Sequence, residues 1–299
     1  MKVAVYVRQP TPPHEAVAKA VTIGAVASGE TAWVFGKDAP RCQEDADVVV
    51  VFGIGGDARQ VWDANAHARR VLLDKPYTRG STPGPARYYL CRVAIDAFQP
   101  LAYFQQWAHT PHRWNALGLK PMPYKDNANR SFTLFDGASN KYCLWNDLPP
   151  WAEWGQEMVY KIGAFSSNPI LYRPRLSHNS PPTIRDAILS ELPLVEDFAR
   201  SRVVVSHGGN IGFDAALAGI PHFAIGDSVA RPISETDWSK IGEPFVPSEE
   251  KRQQWFNDLA YCQWNLDEFA DGSAWRYVRE TMDLITHLKR KTKIAERTD

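Results

Sequence analysis

The sequence has little cysteine, no net charge and no long apolar run. Its four cysteines are scattered singly among 299 residues, which predicts free thiols in a reducing, cytoplasmic compartment rather than a disulfide framework. Basic and acidic residues both number 34, so no overall field attracts a polyanionic partner. The N-terminus does not resemble a signal peptide, and no apolar segment approaches the length of a membrane span.

Short apolar runs alternate with helical patterns in two stretches of the chain. In the first stretch Lys2–Val7 and Asp47–Phe52 have the pattern of buried strands, and in the second Arg202–Ser206 does, whereas a helix is predicted at Thr183–Ser190. This alternation predicts an α/β fold with parallel sheets covered on both faces. We therefore expect two Rossmann-like domains, residues 1–150 and 151–299, with an irregular aromatic and basic insertion in the first.

A first glycine-rich stretch, VVVVFGIGGDAR, lies between a strand pattern and a helix pattern. Gly53, Gly55 and Ala58 match GxGxx(G/A), and Asp74 ends the next strand at about the distance of a ribose-binding acid. This spacing predicts a dinucleotide site and leaves an NAD(P)-dependent oxidoreductase open as an alternative. The other interpretation is a tight turn that needs glycine for its backbone angles.

A second glycine-rich stretch, SHGGNIG at residues 206–212, directly follows the apolar run Val203–Val205. At such a junction, bare N–H groups and the positive end of a helix dipole meet at the carboxyl edge of a sheet, where they bind anions such as phosphate. Asn210 is placed to cap the helix, and Arg173 and Arg175 carry guanidinium forks suited to phosphate. A capped tight turn beside a solvated arginine loop is the alternative.

The segment VVVSHGGNIGFDAALAGIPHFAIGD resembles the donor-binding region of GT-B glycosyltransferases. The resemblance implies two Rossmann-like domains facing across a cleft, a nucleotide-diphosphate sugar such as UDP-glucose as co-substrate, and no bound metal or other cofactor. It places the following residues at the donor diphosphate: Ser206, His207, Gly208, Gly209 and Asn210. It places Asp227 and Ser228 at the sugar. The EX7E pair of retaining members has only a loose counterpart in Asp227 and Glu235.

Transfer to a hydroxyl group needs a base that takes the acceptor proton. Asp57 is the first candidate, and His14 and Asp74 are the others, because all three follow predicted strands of the N-terminal half. For each of them, a helix cap or a salt bridge is the alternative role.

The segment FQPLAYFQQWAHTPHRWN interleaves aromatic and basic residues. Trp107, His112, Arg113 and Trp114 suit a base extruded from DNA, and they suit carbohydrate stacking or an aromatic core equally well. The segments LLDKPYTRG and QQWFNDLAYCQW are similar to GT-B-like proteins of phages, some suspected of decorating modified bases. This second resemblance implies an acceptor in double-stranded phage DNA, a hydroxymethylated pyrimidine such as hydroxymethylcytosine. A polysaccharide glycosyltransferase of the cell envelope and a non-catalytic nucleotide- or DNA-binding module stay open.

Overall fold

The structure is a computed structural model that describes residues 1–8, 11–80, 90–125, 130–175 and 181–298. The chain forms two compact units, Met1–Thr110 with Asp258–Asp299, and Pro111–Asn257. This division differs from the predicted boundary at residue 150. The physical reason is that the C-terminal segment returns to the first unit, where Gln263 pairs with Arg92, while strand residues 132–136 join the second sheet.

The secondary structure alternates between strands and helices along most of the chain. The strands are β1 Lys2–Tyr6, β2 Thr31–Phe35, β3 Val48–Phe52, β4 Arg69–Asp74, β5 Leu90–Ile95, β6 Phe132–Asp136, β7 Ile170–Arg173, β8 Ile188–Leu189, β9 Ser201–Ser206, β10 His222–Ala224 and β11 Gln263–Asn265. The helices are α1 Pro12–Ala27, α2 Ala58–Ala64, α3 His112–Ala116, α4 Asn140–Trp145, α5 Trp151–Phe165, α6 Leu194–Arg200, α7 Ile211–Ala218, α8 Glu249–Ala260, α9 Leu266–Ala270 and α10 Ser273–Thr298.

The first unit is built on a sheet of order β11-β5-β4-β3-β1-β2. Strands β1 to β4 are parallel, and β5 and β11 extend the sheet in antiparallel fashion. Val48–Val51 are buried, as expected for a β-branched run covered on both faces. The chain leaves β1 towards β2 and crosses to the other side for β3, so the carboxyl ends of β1 and β3 are a topological switch point.

The second unit is built on a wholly parallel sheet of order β10-β9-β6-β7-β8. Alternate residues of its strands point to opposite faces: Phe135 and Val205 pack with Trp151 on one face, and Leu134 and Val204 pack on the other. The chain runs from β6 through β7 to β8 on one side, and then to β9 and β10 on the other side. The switch point of this sheet therefore lies between the carboxyl ends of β6 and β9.

The predicted α/β class is confirmed, but one predicted element is wrong. The helix predicted at Thr183–Ser190 is absent, because Asp186 has a left-handed backbone with φ of 62° and β8 occupies Ile188–Leu189. Among the helices that the structure describes, none has the length and hydropathy needed to cross a membrane.

Candidate functional site

The candidate site lies at the switch point of the second sheet. Strand β6 ends at Asp136 and strand β9 ends at Ser206, and the two strands are neighbours. Loops that leave such neighbouring strands in opposite directions open a crevice, where α/β proteins bind their ligands. The loop after β9 is the glycine-rich stretch that the sequence predicts as an anion site, and it leads into the N-terminus of α7.

Gly208 has no space for a side chain, and Gly209 has little. A Cβ atom at Gly208 would collide with the Tyr142 hydroxyl and lie 3.0 Å from the Asp227 carbonyl oxygen, and one at Gly209 would lie 3.0 Å from Oδ2 of Asp136. The side chain of Asn210 makes no capping hydrogen bond at the start of α7. The glycines thus hold the backbone close to its neighbours at the end of a helix whose dipole attracts anions.

The imidazole of His207 is fixed by its neighbours. Its Nδ1 lies 2.8 Å from the Tyr142 hydroxyl, and its ring packs edge-on against Trp154. Burial lowers the pKa of His207, and the charge of Asp227 opposes that shift. The ring is therefore neutral at pH 7, and in the tautomer that accepts the tyrosine hydroxyl at Nδ1 its Nε2 carries the ring proton.

The two predicted arginines have different environments. Arg173 donates from Nη1 to Asp197 at 2.6 Å and to the Leu192 carbonyl at 2.7 Å, so a fully buried carboxylate holds its guanidinium. Arg175 is exposed and makes no hydrogen bond or ion pair to any residue that the structure describes. Of the two, Arg175 is the one whose charge is available to an anion.

Asp136 is the site residue that sequence reasoning missed. Its pKa is raised to about 7, because loss of surrounding water outweighs the lowering effect of Arg175 and Arg173, and Asp214 adds to the rise. No hydrogen bond joins its carboxyl group to any described residue. The stretch FDGAS, with an acidic residue at the end of a strand and glycine directly after it, is the signal that points to this position.

Ser206 and Ser228, which are predicted to lie at the donor, are both buried. The Ser206 hydroxyl lies 2.8 Å from Nε2 of His222, and the Ser228 hydroxyl accepts the N–H of Ala230 at 3.3 Å. Their hydroxyl groups therefore form internal hydrogen bonds that stabilise the loops of the site. Asp227, the other residue predicted at the sugar, is exposed beside this site.

The three candidate bases lie in the first unit, each at a strand end or just beyond it. The Asp57 carboxylate accepts hydrogen bonds from Nε of Arg8 at 2.7 Å and from Nε of Arg41 at 3.0 Å. The hydrogen bond from Arg8 holds the pKa of Asp57 far below its ordinary range. The Asp74 carboxylate accepts a hydrogen bond from Nη2 of Arg92 at 2.9 Å. Because ion pairing weakens a carboxylate as a base, these contacts favour the salt-bridge alternative for both aspartates.

His14 is the third of these candidate bases. Its ring packs edge-on against Phe52 at the end of β3, with 4.6 Å between centroids. The glycine loop behind that strand bends at Gly53, whose φ is 73°, as the tight-turn interpretation requires.

The four residues predicted at the acceptor are divided between the two units. Trp107 packs edge-on against Tyr277 in the first unit. Trp114 belongs to the second unit, is 3% exposed and stacks on Phe256 with 4.3 Å between centroids, so it is a core residue. His112 and Arg113 begin α3 beside it. Among the described residues no group of three or more metal-ligating side chains gathers at one place.

Comparison with known proteins shows the fold. No protein-family model and no curated protein sequence matches the chain. The structure of Thermosulfurimonas dismutans KpsC, beta Kdo 2,4 transferase, aligns over 87% of this chain and 90% of its own with a TM-score of 0.51 and 12% identity. The beta Kdo 2,7 transferase of the same KpsC aligns over 92% and 99% with a TM-score of 0.50 and 12% identity.

This protein has the fold of those transferases. The predicted GT-B type, with two Rossmann-like α/β domains, is confirmed. At 12% identity the likeness extends to the fold alone.

Proposed function

We propose that the protein is a glycosyltransferase that moves a sugar from a nucleotide-diphosphate donor to a hydroxyl acceptor and needs no bound metal. The observation that carries the proposal is the close approach of the Gly208–Gly209 backbone at the switch point, beside the N-terminus of α7. The fold shared with two sugar transferases agrees with it.

The site offers an anion three kinds of hydrogen-bond donor. Backbone N–H groups of residues 208–210 lie at the positive end of the α7 dipole. In the tautomer in which Nδ1 accepts the Tyr142 hydroxyl, the neutral ring of His207 carries an Nε2–H beside Gly226, which would be the second donor. Arg175 adds a full charge on an exposed guanidinium. Together these groups would stabilise both the bound diphosphate and the diphosphate that leaves during transfer.

The base that activates the acceptor stays a prediction. Asp57 and Asp74 are held in ion pairs with arginines. His14 carries the side chain that most often serves as a general base, and it follows β1 at the switch point of the first sheet. We therefore place His14 first among the three candidates.

A hydroxymethylated pyrimidine in DNA remains the predicted acceptor class, although Trp114 lies in the core of the second unit. Because the two structures of similar fold are named Kdo transferases, a Kdo glycoside belongs in the acceptor test beside hydroxymethylated and unmodified DNA.

The first experiment measures ligand binding. Thermal unfolding and calorimetric titration are recorded with UDP, UDP-glucose, GDP, GDP-mannose, CMP, NAD and NADP for the wild-type protein and Gly209→Asp. The added carboxylate would fill the anion position and repel phosphate, so Gly209→Asp should lose the stabilisation by nucleotides. Gly163→Asp is the matched control, because a Cβ atom at that exposed helical position has nothing within 4 Å.

The outcomes separate the proposal from its rivals. A donor site in the second unit is supported if a nucleotide or nucleotide sugar stabilises the wild type and Gly163→Asp but not Gly209→Asp. A response to NAD or NADP alone that survives Gly209→Asp moves the ligand to the Gly53 loop and overturns the proposal. Release of nucleotide from the bound donor, dependent on one of the acceptors, then establishes transfer.

A further inference from the structure

We infer that Asp136 binds the donor phosphate as a neutral carboxylic acid, so that the donor and a proton occupy the site together. This inference rests on the proposed function and names a residue and a protonation state for it.

The position of Asp136 makes it a neighbour of any anion in the loop. Its Oδ2 lies 3.0 Å from where a Cβ of Gly209 would be, so the carboxyl group lies on the face of the backbone that glycine leaves bare. A phosphate held by the N–H groups of residues 208–210 would therefore come close to this carboxyl group. An ionised carboxylate there would repel the phosphate at close range, whereas a neutral acid would donate a hydrogen bond to it.

The surroundings of Asp136 favour the neutral form. The charged and titratable groups around it are Tyr172 and Arg173 on β7, Arg175 after β7, Asp214 on α7, His207 after β9 and Tyr142 on α4. Arg173 is already paired with Asp197, Asp214 carries the same charge, and no described residue donates a hydrogen bond to the Asp136 carboxyl. Loss of water then raises its pKa to about 7.

A bound phosphate would shift the balance further. Its negative charge favours protonation of Asp136, so an acid whose pKa is already raised to about 7 would take up a proton when the phosphate binds. Binding must then draw one proton from solvent above pH 7. If only the protonated site binds, the apparent Kd rises roughly 15-fold between pH 7.0 and 8.5.

The experiment titrates the full-length protein with UDP-glucose and GDP-mannose, whose diphosphates have no proton to exchange in this range. Calorimetry at pH 7.0, 7.75 and 8.5 in buffers of different ionisation enthalpy counts the protons taken up. We expect close to one proton per nucleotide sugar at pH 8 and the rise in Kd. Asp136→Asn, which keeps the shape of the acid without its titration, should bind with no proton uptake and with a Kd independent of pH.

Asp186→Asn is the matched control, because Asp186 is an exposed carboxylate before the amino end of β8 and asparagine tolerates its positive φ. It should behave as the wild type does. Binding by the wild type without proton uptake, or uptake that persists in Asp136→Asn, overturns the role of Asp136 and leaves the donor site standing. Absence of binding at every pH overturns the proposed function and this inference with it. The number of protons taken up by the wild type is measured without any variant, so this part of the test does not depend on the folding of a variant.

Discussion

The Tyr142 hydroxyl lies 2.8 Å from Nδ1 of His207 and also occupies the space that a side chain at position 208 would need. One phenol therefore both holds the histidine ring and imposes the requirement for glycine in the loop. Both residues sit at the switch point of the second sheet, so the contact joins α4 to the loop after β9.

Tyr142→Phe should weaken donor binding. Loss of the hydroxyl removes the hydrogen bond that holds the His207 ring beside Gly208, so the glycine loop that would bind the phosphate is held less firmly. A hydrogen bond of this kind contributes about 1 kcal/mol, which corresponds to roughly a fivefold rise in the Kd of the bound nucleotide. Calorimetric titration at pH 7.5 measures the change.

The control for this variant is a double-mutant cycle with Gly208→Ala. Alanine at 208 alone should destabilise the protein because its methyl group meets the hydroxyl, and Tyr142→Phe should recover part of that loss. Additive effects of the two substitutions on the free energy of unfolding would show that the phenol does not shape the loop.

Substitutions of Arg173 and Arg175 should have different effects, the first on stability and the second on nucleotide binding. Arg173→Gln should lower the free energy of unfolding by about 2 kcal/mol, because Asp197 is fully buried and would keep Ser190 and Arg200 as its side-chain partners among the described residues. Arg175→Gln should leave the free energy of unfolding within about 0.5 kcal/mol of wild type and raise the nucleotide Kd about tenfold, as for one charge-assisted contact.

Urea unfolding and nucleotide titration of both arginine variants test that separation. Equal loss of affinity in the two, with no loss of stability in Arg173→Gln, would contradict the division of roles.

Local patterns made the fold and the glycine loop predictable. Val48–Val51 and Val203–Val205 are β-branched runs that only a strand buried on both faces accommodates. The sequence SHGGN then marks a strand-to-helix junction whose glycines the structure confirms as close approaches. These signals lie within about ten residues of the feature that they predict.

Contacts between distant residues could not be predicted in this way. The pairing of Gln263 with Arg92, which returns the C-terminal segment to the first unit, joins residues far apart in sequence. Burial of Ser228 depends on α7 lying over it, where Gly212 leaves space for its hydroxyl. Asp136 needs the order of strands β6 and β9 to be known before its carboxyl group can be placed beside Gly209.

Asp57→Asn should destabilise the first unit. The side chain of Arg8 is 5% exposed and that of Asp57 20%, so the substitution leaves a largely buried guanidinium without its anion. We expect a loss of about 2 kcal/mol in the free energy of unfolding, less than for a fully buried pair because Asp57 is partly exposed. Because the folded pKa of Asp57 is lowered, this contribution is present above the ordinary carboxyl range and is lost as the pH falls below it.

The matched control for that pair is Asp63→Asn. Asp63 pairs with Arg59 on the exposed surface of α2 at 2.8 Å, and an exposed pair four residues apart contributes only about 0.3 kcal/mol. Urea unfolding of both variants at pH 7 compares them, and equal stability of the two would contradict the buried role of Asp57.

His222 should make the stability of the protein depend on pH in the mildly acidic range. The fully buried imidazole lies between the hydroxyl groups of Ser206 and Ser234, at 2.8 and 2.7 Å, and burial lowers its pKa to about 3. In the unfolded chain His222 takes up a proton at about pH 6.5, whereas in the folded protein the ring stays neutral at that pH. Stability is therefore unaffected by this group above pH 6.5 and falls as the pH drops from there towards 3, with a slope approaching about 1.4 kcal/mol per pH unit.

His222→Gln removes that titration and should reduce the slope of unfolding free energy between pH 6.5 and 4.5, at the cost of lower stability at pH 7.5, where a buried hydrogen-bond partner is lost. His287→Gln, at an exposed position of α10, should leave the slope as it is in the wild type. Urea unfolding at a series of pH values gives both slopes. If the two variants showed the same pH dependence, the buried ring would be exchanging protons in the folded state, and the chain of Ser206, His222 and Ser234 would be open to water.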